Sequence, residues 1–120
     1  MSPAKRRHAD QPVRRSSCPV SCSLDIFGDR WTLLVIRDLM LGSERFKEFA
    51  RSPEGIPSNI LADRLKRLQA QGIVALRPAS DGTKHPAYQL TRKGEALRPM
   101  MEAMRSWGLA WVEGTNAQLG

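Results

Sequence analysis

Apolar residues recur along most of the chain at intervals of three and four, the spacing of amphipathic helices, and in one region they alternate instead. The clearest helical pattern runs from 55 to 72. On a helical wheel Leu65 and Leu68 fall within roughly 40° of Leu61, a narrow apolar seam, while Asn59, Asp63, Lys66 and Arg67 point away from it. Pro57 fixes a backbone dihedral and Ser58 offers a capping hydroxyl at the start, and Gly72 supplies a left-handed residue at the end. A helix this short is not stable alone, so the pattern predicts that its leucines dock on a scaffold and its polar face is presented outward.

The segments before it supply that scaffold. Val20, Leu24 and Phe27 share one helical face between Pro19, suited to a first turn, and Gly28, suited to an end. A second helix is expected from a cap at Asp29 to Gly42; with Trp31, Leu34, Ile36, Leu39 and Leu41 it is predicted to be the most buried of the set. Residues 43–50 read as a short helix with Phe46, Phe49 and Ala50 inward, followed by a turn around Pro53 and Gly55. Two helices joined by a Gly-containing turn, the second with a polar outer face, form a helix-turn-helix pattern.

Alternation begins after Gly72. Ile73 to Arg77 is β-branched and apolar, Ser80-Asp81-Gly82-Thr83 is a turn signal, and Ala87-Tyr88-Gln89-Leu90 is a second short strand. A hairpin directly behind the second helix is the wing of a winged helix, and Arg77, Lys84 and His85 near its tip suit phosphate contact. Thr91 then caps a helix in which Leu97, Met100, Met104, Trp107 and Trp111 repeat at three and four residues, widened by Met101 and Val112. Run to its full length it would span about 30 Å at 1.5 Å per residue, with Pro99 either bending it or marking where its regular part begins. So apolar a helix predicts a homodimer interface built from Val20, Leu24, Phe27, Leu97, Met101, Met104, Trp107 and Trp111; the alternative is that it folds back over its own domain.

Composition narrows the purpose of the polar face. The 120 residues suffice for one domain, and 19 Lys+Arg against 12 Asp+Glu give a net charge of +7, which favours polyanionic partners. Lys5, Arg6, Arg7, Arg14 and Arg15, opposed only by Asp10, concentrate much of that charge in residues 1–17, a stretch without apolar periodicity. It is expected to be a disordered basic tail, either simply solvated or a DNA-contacting arm, and 114–120 a flexible end to the domain at 18–113. No apolar h-region follows the early basic residues, and Leu33 to Ile36 is too short to span a membrane, so a cytoplasmic protein is expected.

Several separated motifs then converge. Cys18-Pro19-Val20, Gly28-Asp29-Arg30-Trp31-Thr32-Leu33-Leu34, Ile36-Arg37-Asp38-Leu39, Arg45-Phe46, Gly55-Ile56, Leu61-Ala62-Asp63-Arg64-Leu65-Lys66-Arg67-Leu68 and Tyr88-Gln89-Leu90-Thr91-Arg92-Lys93-Gly94 resemble, in order over about residues 18 to 113, the HxlR-type bacterial transcriptional regulators. The resemblance implies a mainly α fold with a small β-hairpin, a winged helix-turn-helix domain with N- and C-terminal dimerisation helices, close in architecture to MarR-type regulators. It also implies a homodimer on pseudo-palindromic operator DNA, acting as a repressor, with the helix matching 58–71 in the major groove and the hairpin on the flanking backbone or minor groove.

On that footing Asn59 is the first candidate for reading a base, since an amide pairs bidentately with adenine, and Ser58 either caps the helix or meets a phosphate. Lys66 is a candidate for guanine or backbone, Arg67 for phosphate, and Arg45, Lys47, Arg77, Lys84 and His85 complete the DNA-binding set. Asp63 is expected to pair with Lys66 or Arg67, and Arg64 to form a scaffold ion pair. Cys18, at a helix start after Arg14 and Arg15, is a candidate sensor of oxidants or electrophiles, with Cys22 one turn away; the alternative is an inert thiol. An enzyme reading has no support in a glycine-rich phosphate loop, nucleophile elbow or carboxylate pair, His8 and His85 are too few for a metal cluster, and no cofactor is expected. The rival function is a winged helix that binds protein instead of DNA.

Overall fold

The helix at the centre of the pattern, α4, spans Ser58–Ala70 and lies with Leu61, Leu65 and Leu68 fully buried. The computed structural model describes residues 16–79, 82 and 85–116. The basic tail as far as residue 15, Lys84 and the last four residues lie outside the described residues. In chain order the other elements are α1 (Pro19–Phe27), α2 (Thr32–Met40), α3 (Phe46–Ala50), β1 (Val74–Arg77), β2 (Ala87–Leu90), α5 (Arg92–Glu95) and α6 (Arg98–Trp111). β1 and β2 form one antiparallel hairpin in the register Val74↔Leu90 to Arg77↔Ala87.

The core sits where α2, α3, α4 and the hairpin meet: Val35, Ile36 and Leu39 from α2, Phe49 from α3, Ile56 from the turn, the three leucines of α4, and Ile73 and Val74 behind them. Burying side chains of this size stabilises by roughly 1.5–3 kcal/mol each. Tyr88 of β2 meets Phe49 edge-on, with ring centroids 6.0 Å apart. Its N–H donates to the Glu44 carbonyl at 2.8 Å, so the wing is also tied to the segment before α3.

Gly72, at φ +72°, ends α4 as its position in the sequence requires; the next N–H, of Ile73, donates back to the Leu68 carbonyl at 2.9 Å. The chain returns to this point after the hairpin. Thr91 caps α5 by accepting from the Gly94 N–H at 3.2 Å, and its hydroxyl donates to the Gly72 carbonyl at 2.6 Å. Lys93 donates to the Gln71 carbonyl at 2.6 Å. A Cβ on Gly94 would stand 2.4 Å from the Ile73 carbonyl oxygen, so α5 reaches the hairpin root only because that side chain is absent. The base of the wing is thereby riveted to the end of α4.

Four expectations are corrected. Ser58 is the first helical residue and makes no side-chain cap; Pro57 holds the cap position, its extended ψ of 142° feeding the helix. α3 begins at Phe46 and only Phe49 is buried, Phe46 and Ala50 being exposed, because Glu44 is drawn away to the wing and the Glu48 carboxylate takes the N–H groups of Glu44 and Arg45. α2 is the most buried helix, as expected, but its buried set is Thr32, Val35, Ile36, Arg37, Asp38 and Leu39, while Leu41 is exposed and Leu33 and Leu34 are half-buried, facing a groove against α6. The C-terminal helix is not continuous: the chain breaks between Glu95 and Arg98, and Pro99 takes the second position of α6, where its missing N–H costs nothing. α6 is therefore about 21 Å long at 1.5 Å per residue, and Val112 lies past its end in an extended conformation.

A candidate nucleic-acid interface on the second helix of the turn

α3, the turn from Arg51 to Pro57 and α4 make the helix-turn-helix, and the posture of α4 is fixed from both ends. At its N-terminal side the turn is gripped by Arg37, a buried guanidinium projecting from the middle of α2. It donates to both oxygens of Glu54 at 2.7 Å, to Ser52 Oγ at 2.8 Å, and to its neighbour Asp38 at 2.9 and 3.1 Å. Bidentate pairing of this kind fixes direction as well as distance. Along the helix, Arg64 donates to Asp29 at 2.9 Å, joining α4 to the start of α2. Asp29 also accepts from the N–H groups of Trp31 at 3.0 Å and Thr32 at 3.1 Å; α2 begins only at Thr32 with Trp31 in the cap position, two residues past the expected Asp29 cap, so Asp29 secures the turn that leads into the helix.

Both carboxylates titrate low. Burial pushes the Asp29 carboxyl up, but the Arg64 guanidinium, the Thr32 hydroxyl and the Trp31 N–H outweigh it and hold it at about 2. Arg37 holds Glu54 at about 2 against a smaller opposing effect of burial. In the unfolded chain such groups titrate near 4. A carboxyl whose folded pKa is depressed stabilises the fold above its unfolded pKa and ceases to do so as pH falls through the folded one. The unfolding free energy is therefore expected to drop between about pH 4 and pH 2. Asp29→Asn should remove about 1–2 kcal/mol of that drop, and Glu54→Gln less, because Glu54 is more exposed and screened. Urea unfolding across pH 2–7 checks this; a drop of equal size in Asp29→Asn contradicts it.

Held in this way, α4 presents an exposed polar face. Ser58 and Asn59 stand at its start, Lys66 and Arg67 about two turns on, and all four are exposed. Asp63 lies between them and is answered by Arg64, with Arg67 at 3.7 Å. Lys47 is exposed on α3 and Arg45 is half-buried just ahead of it. On the wing His85 is exposed, whereas Arg77 is half-buried and its guanidinium pairs with Glu44 and donates to the Pro78 carbonyl at 3.1 Å. The structure thus leaves Ser58, Asn59, Lys66 and Arg67 exposed on α4, Asn59 and Lys66 on the side away from the leucine seam with Ser58 and Arg67 flanking them on opposite sides, sets Lys47 and His85 on the adjoining elements, and turns Arg77 inward. The Arg37 clamp and the Thr91–Lys93 rivet were missed. An arginine inside the run Leu33-Leu34-Val35-Ile36-Arg37-Asp38-Leu39 was the available signal for the first, since a cation on so apolar a helix needs a buried partner.

At the start of α1 Cys18 is exposed and Cys22 half-buried, both as free thiols. The N–H groups of Ser21 and Val20, at the start of α1, lower the Cys18 thiol below its ordinary value. α1 and α6 bury no residue fully. Val20 is 67% exposed, Leu24 53%, Met104 50%, Trp107 63% and Trp111 74%. Val20, Leu24 and Phe27 line a common groove with Leu33, Met100 and Met104, so the apolar faces of α1 and α6 are continuous. Among the described residues no helix is long and apolar enough to cross a membrane.

Comparison with known proteins places this geometry. Residues 26–116 match the family model described as HxlR-like helix-turn-helix. The chain is similar to the uncharacterized HTH-type transcriptional regulator YvaP of Bacillus subtilis, 31% identical over 91 residues that cover 76% of this chain and 84% of YvaP. It is also similar to the HTH-type transcriptional regulator YodB of the same organism, 35% identical over 97 residues, 80% of this chain and 87% of YodB. Among solved structures, PA1607 superposes with a TM-score of 0.78 at 40% identity, covering 88% of this chain and 75% of its own. YodB superposes in its reduced form with a TM-score of 0.66 at 32% identity, over 84% of this chain and 100% of that one, and has also been solved bound to a quinone.

Proposed function

The chain belongs to the HxlR-like helix-turn-helix family, and from that premise we propose that it is a sequence-specific DNA-binding transcriptional regulator that acts in the cytoplasm as a homodimer and represses by covering a pseudo-palindromic operator. It has no catalytic role. The observation that carries the reading is the two-faced α4: three leucines sealed into the core, and an exposed polar side centred on Asn59 and Lys66 and flanked by Ser58 and Arg67, held in place by Arg37 and Arg64. A helix so placed enters the major groove with its N-terminal residues at base edges, while Lys47 and the wing meet phosphates. A protein-binding winged helix would need an apolar outer face on α4 in place of this polar one.

Dimerisation supplies the second half-site. α1 and α6 leave Val20, Leu24, Met104, Trp107 and Trp111 exposed, and a second copy packed on these helices would cover them; Phe27, Leu97 and Met101, expected in the same interface, are half-buried, Phe27 and Leu97 against the chain's own core. Thiol sensing fits the same architecture. Cys18 carries a thiol activated by helix-start N–H groups beside that face, so oxidation or alkylation there would change how two copies meet. That YodB has been solved with a bound quinone supports an oxidant or electrophile as the effector class. Sedimentation equilibrium tests the assembly: the wild type is expected at twice the chain mass and Trp107→Glu at the chain mass with an unchanged helical spectrum. A monomeric wild type at micromolar concentration contradicts it.

A further inference from the structure

Two thiols stand one helical turn apart at the start of α1. The Cys22 N–H donates to the Cys18 carbonyl at 2.9 Å, so the turn between them is closed. Cys22 does not point into the core: its Sγ donates to the Ser16 carbonyl at 3.3 Å, back past Cys18. Cys18 is exposed at the cap position of α1, where the N–H groups of Ser21 and Val20 lower its thiol below the ordinary value. Cys18 is the extended cap residue and Cys22 lies in the first turn of α1; residues four apart within a helix hold their Cβ atoms about 5–6 Å apart, wider than the roughly 3.8 Å a disulfide takes. A direct bridge would distort the first turn. A single atom between the sulfurs would not, because two bonds of roughly 2.3 Å, the length of a zinc–thiolate bond, span the gap that side-chain rotation leaves.

The surroundings narrow what that atom is. Among the described residues no group of three or more His, Cys, Asp or Glu is placed to hold a metal, so a tetrahedral zinc centre, which needs four ligands, lacks half of them. Two thiolates are enough for a soft centre that brings its own third bond. A trivalent arsenic atom carrying one organic group is such a centre.

We propose that Cys18 and Cys22 form a two-thiol clamp for monosubstituted trivalent arsenicals. The clamp deepens the thiol-sensing reading and rests on it, adding Cys22 as the second ligand and naming a class of effector. In the capture step two As–S bonds form and two As–O bonds of the hydrated arsenical break. Each thiol proton leaves with a hydroxide as water, and arsenic and sulfur keep their oxidation states.

The test uses the reduced full-length chain and phenylarsine oxide, with the adduct followed by intact mass during titration with glutathione. The second thiol acts at an effective concentration of order millimolar or above, so the wild type is expected to keep one adduct per chain against roughly 100-fold more glutathione than Cys18→Ser or Cys22→Ser. The dithiol 2,3-dimercaptopropanol should strip all three. Serine is a good residue at a helix start, and circular dichroism verifies that both variants fold. A wild type that releases its adduct at the same glutathione concentration as Cys22→Ser overturns the clamp. If Cys18→Ser nevertheless abolishes the response of DNA binding to diamide, the sensing reading stands and the clamp alone falls. If the clamp holds while Cys18→Ser responds to diamide as the wild type does, the clamp stands and oxidant sensing falls.

Discussion

Replacing Arg37 with methionine is expected to lower the unfolding free energy by about 3 kcal/mol, toward the lower end of what breaking a buried ion pair costs. The side chain is 8% exposed and Asp38 12%, so the substitution leaves at least one carboxylate in a poorly solvated place without its counter-charge. Glu54, 36% exposed, can turn to water and contributes less. The size of the loss comes from the stranded charge more than from the hydrogen bonds themselves. Arg37→Met combined with Asp38→Leu should therefore recover part of it, since exchanging a whole buried pair for apolar residues is often close to neutral. Urea unfolding at one fixed protein concentration checks this, the fixed concentration being needed because the proposed dimerisation would be linked to folding. A loss below about 1 kcal/mol in the single variant would mean that the pair contributes no more than one on the surface.

The second large effect falls on DNA. Asn59→Ala is expected to weaken operator binding by about 1–3 kcal/mol, roughly 5- to 150-fold, while binding to random DNA stays unchanged. The residue is exposed in the first turn of α4 and far from the leucine seam, so its removal leaves the fold intact. Arg67→Ala provides the contrast. A phosphate contact is blind to sequence, so its loss should weaken operator and random DNA alike and reduce the magnitude of the salt slope by about 1. Anisotropy titrations of both DNAs at several salt concentrations separate the two outcomes. Equal losses on operator and random DNA in Asn59→Ala would remove that residue from base reading.

What the sequence carried legibly was whatever depends on neighbours within a turn or two. The seam of Leu61, Leu65 and Leu68, the left-handed Gly72, the Thr91 cap and the alternation in Ala87-Tyr88-Gln89-Leu90 each state a local preference that the fold obeys. The pairing of Arg64 with Asp29, 35 residues away, was foreseen as an ion pair without its partner, because position on the seam's edge tells that an arginine is half-buried and not what meets it. The Arg37 clamp on Ser52 and Glu54 escaped for the same reason: three polar residues 15 and 17 positions apart have no periodicity. Spacing alone turns Ala50 and Phe46 inward, whereas α3 begins only at Phe46, after Glu44 has bonded to the wing through the Tyr88 N–H, and both residues stand exposed. Local signals therefore named the buried and exposed sides of α4, and only the tertiary ion pairs explain how the helix is held.

The central claim is that two copies of this chain read two half-sites through α4. Hydroxyl-radical footprinting of the DNA upstream of its own gene, at moderate salt, tests it most directly. The account predicts two protected stretches related by a dyad, with centres about 34 Å or one helical turn apart, both lost together in Trp107→Glu. Absence of any protected segment at a salt concentration where the protein is a folded dimer would contradict it.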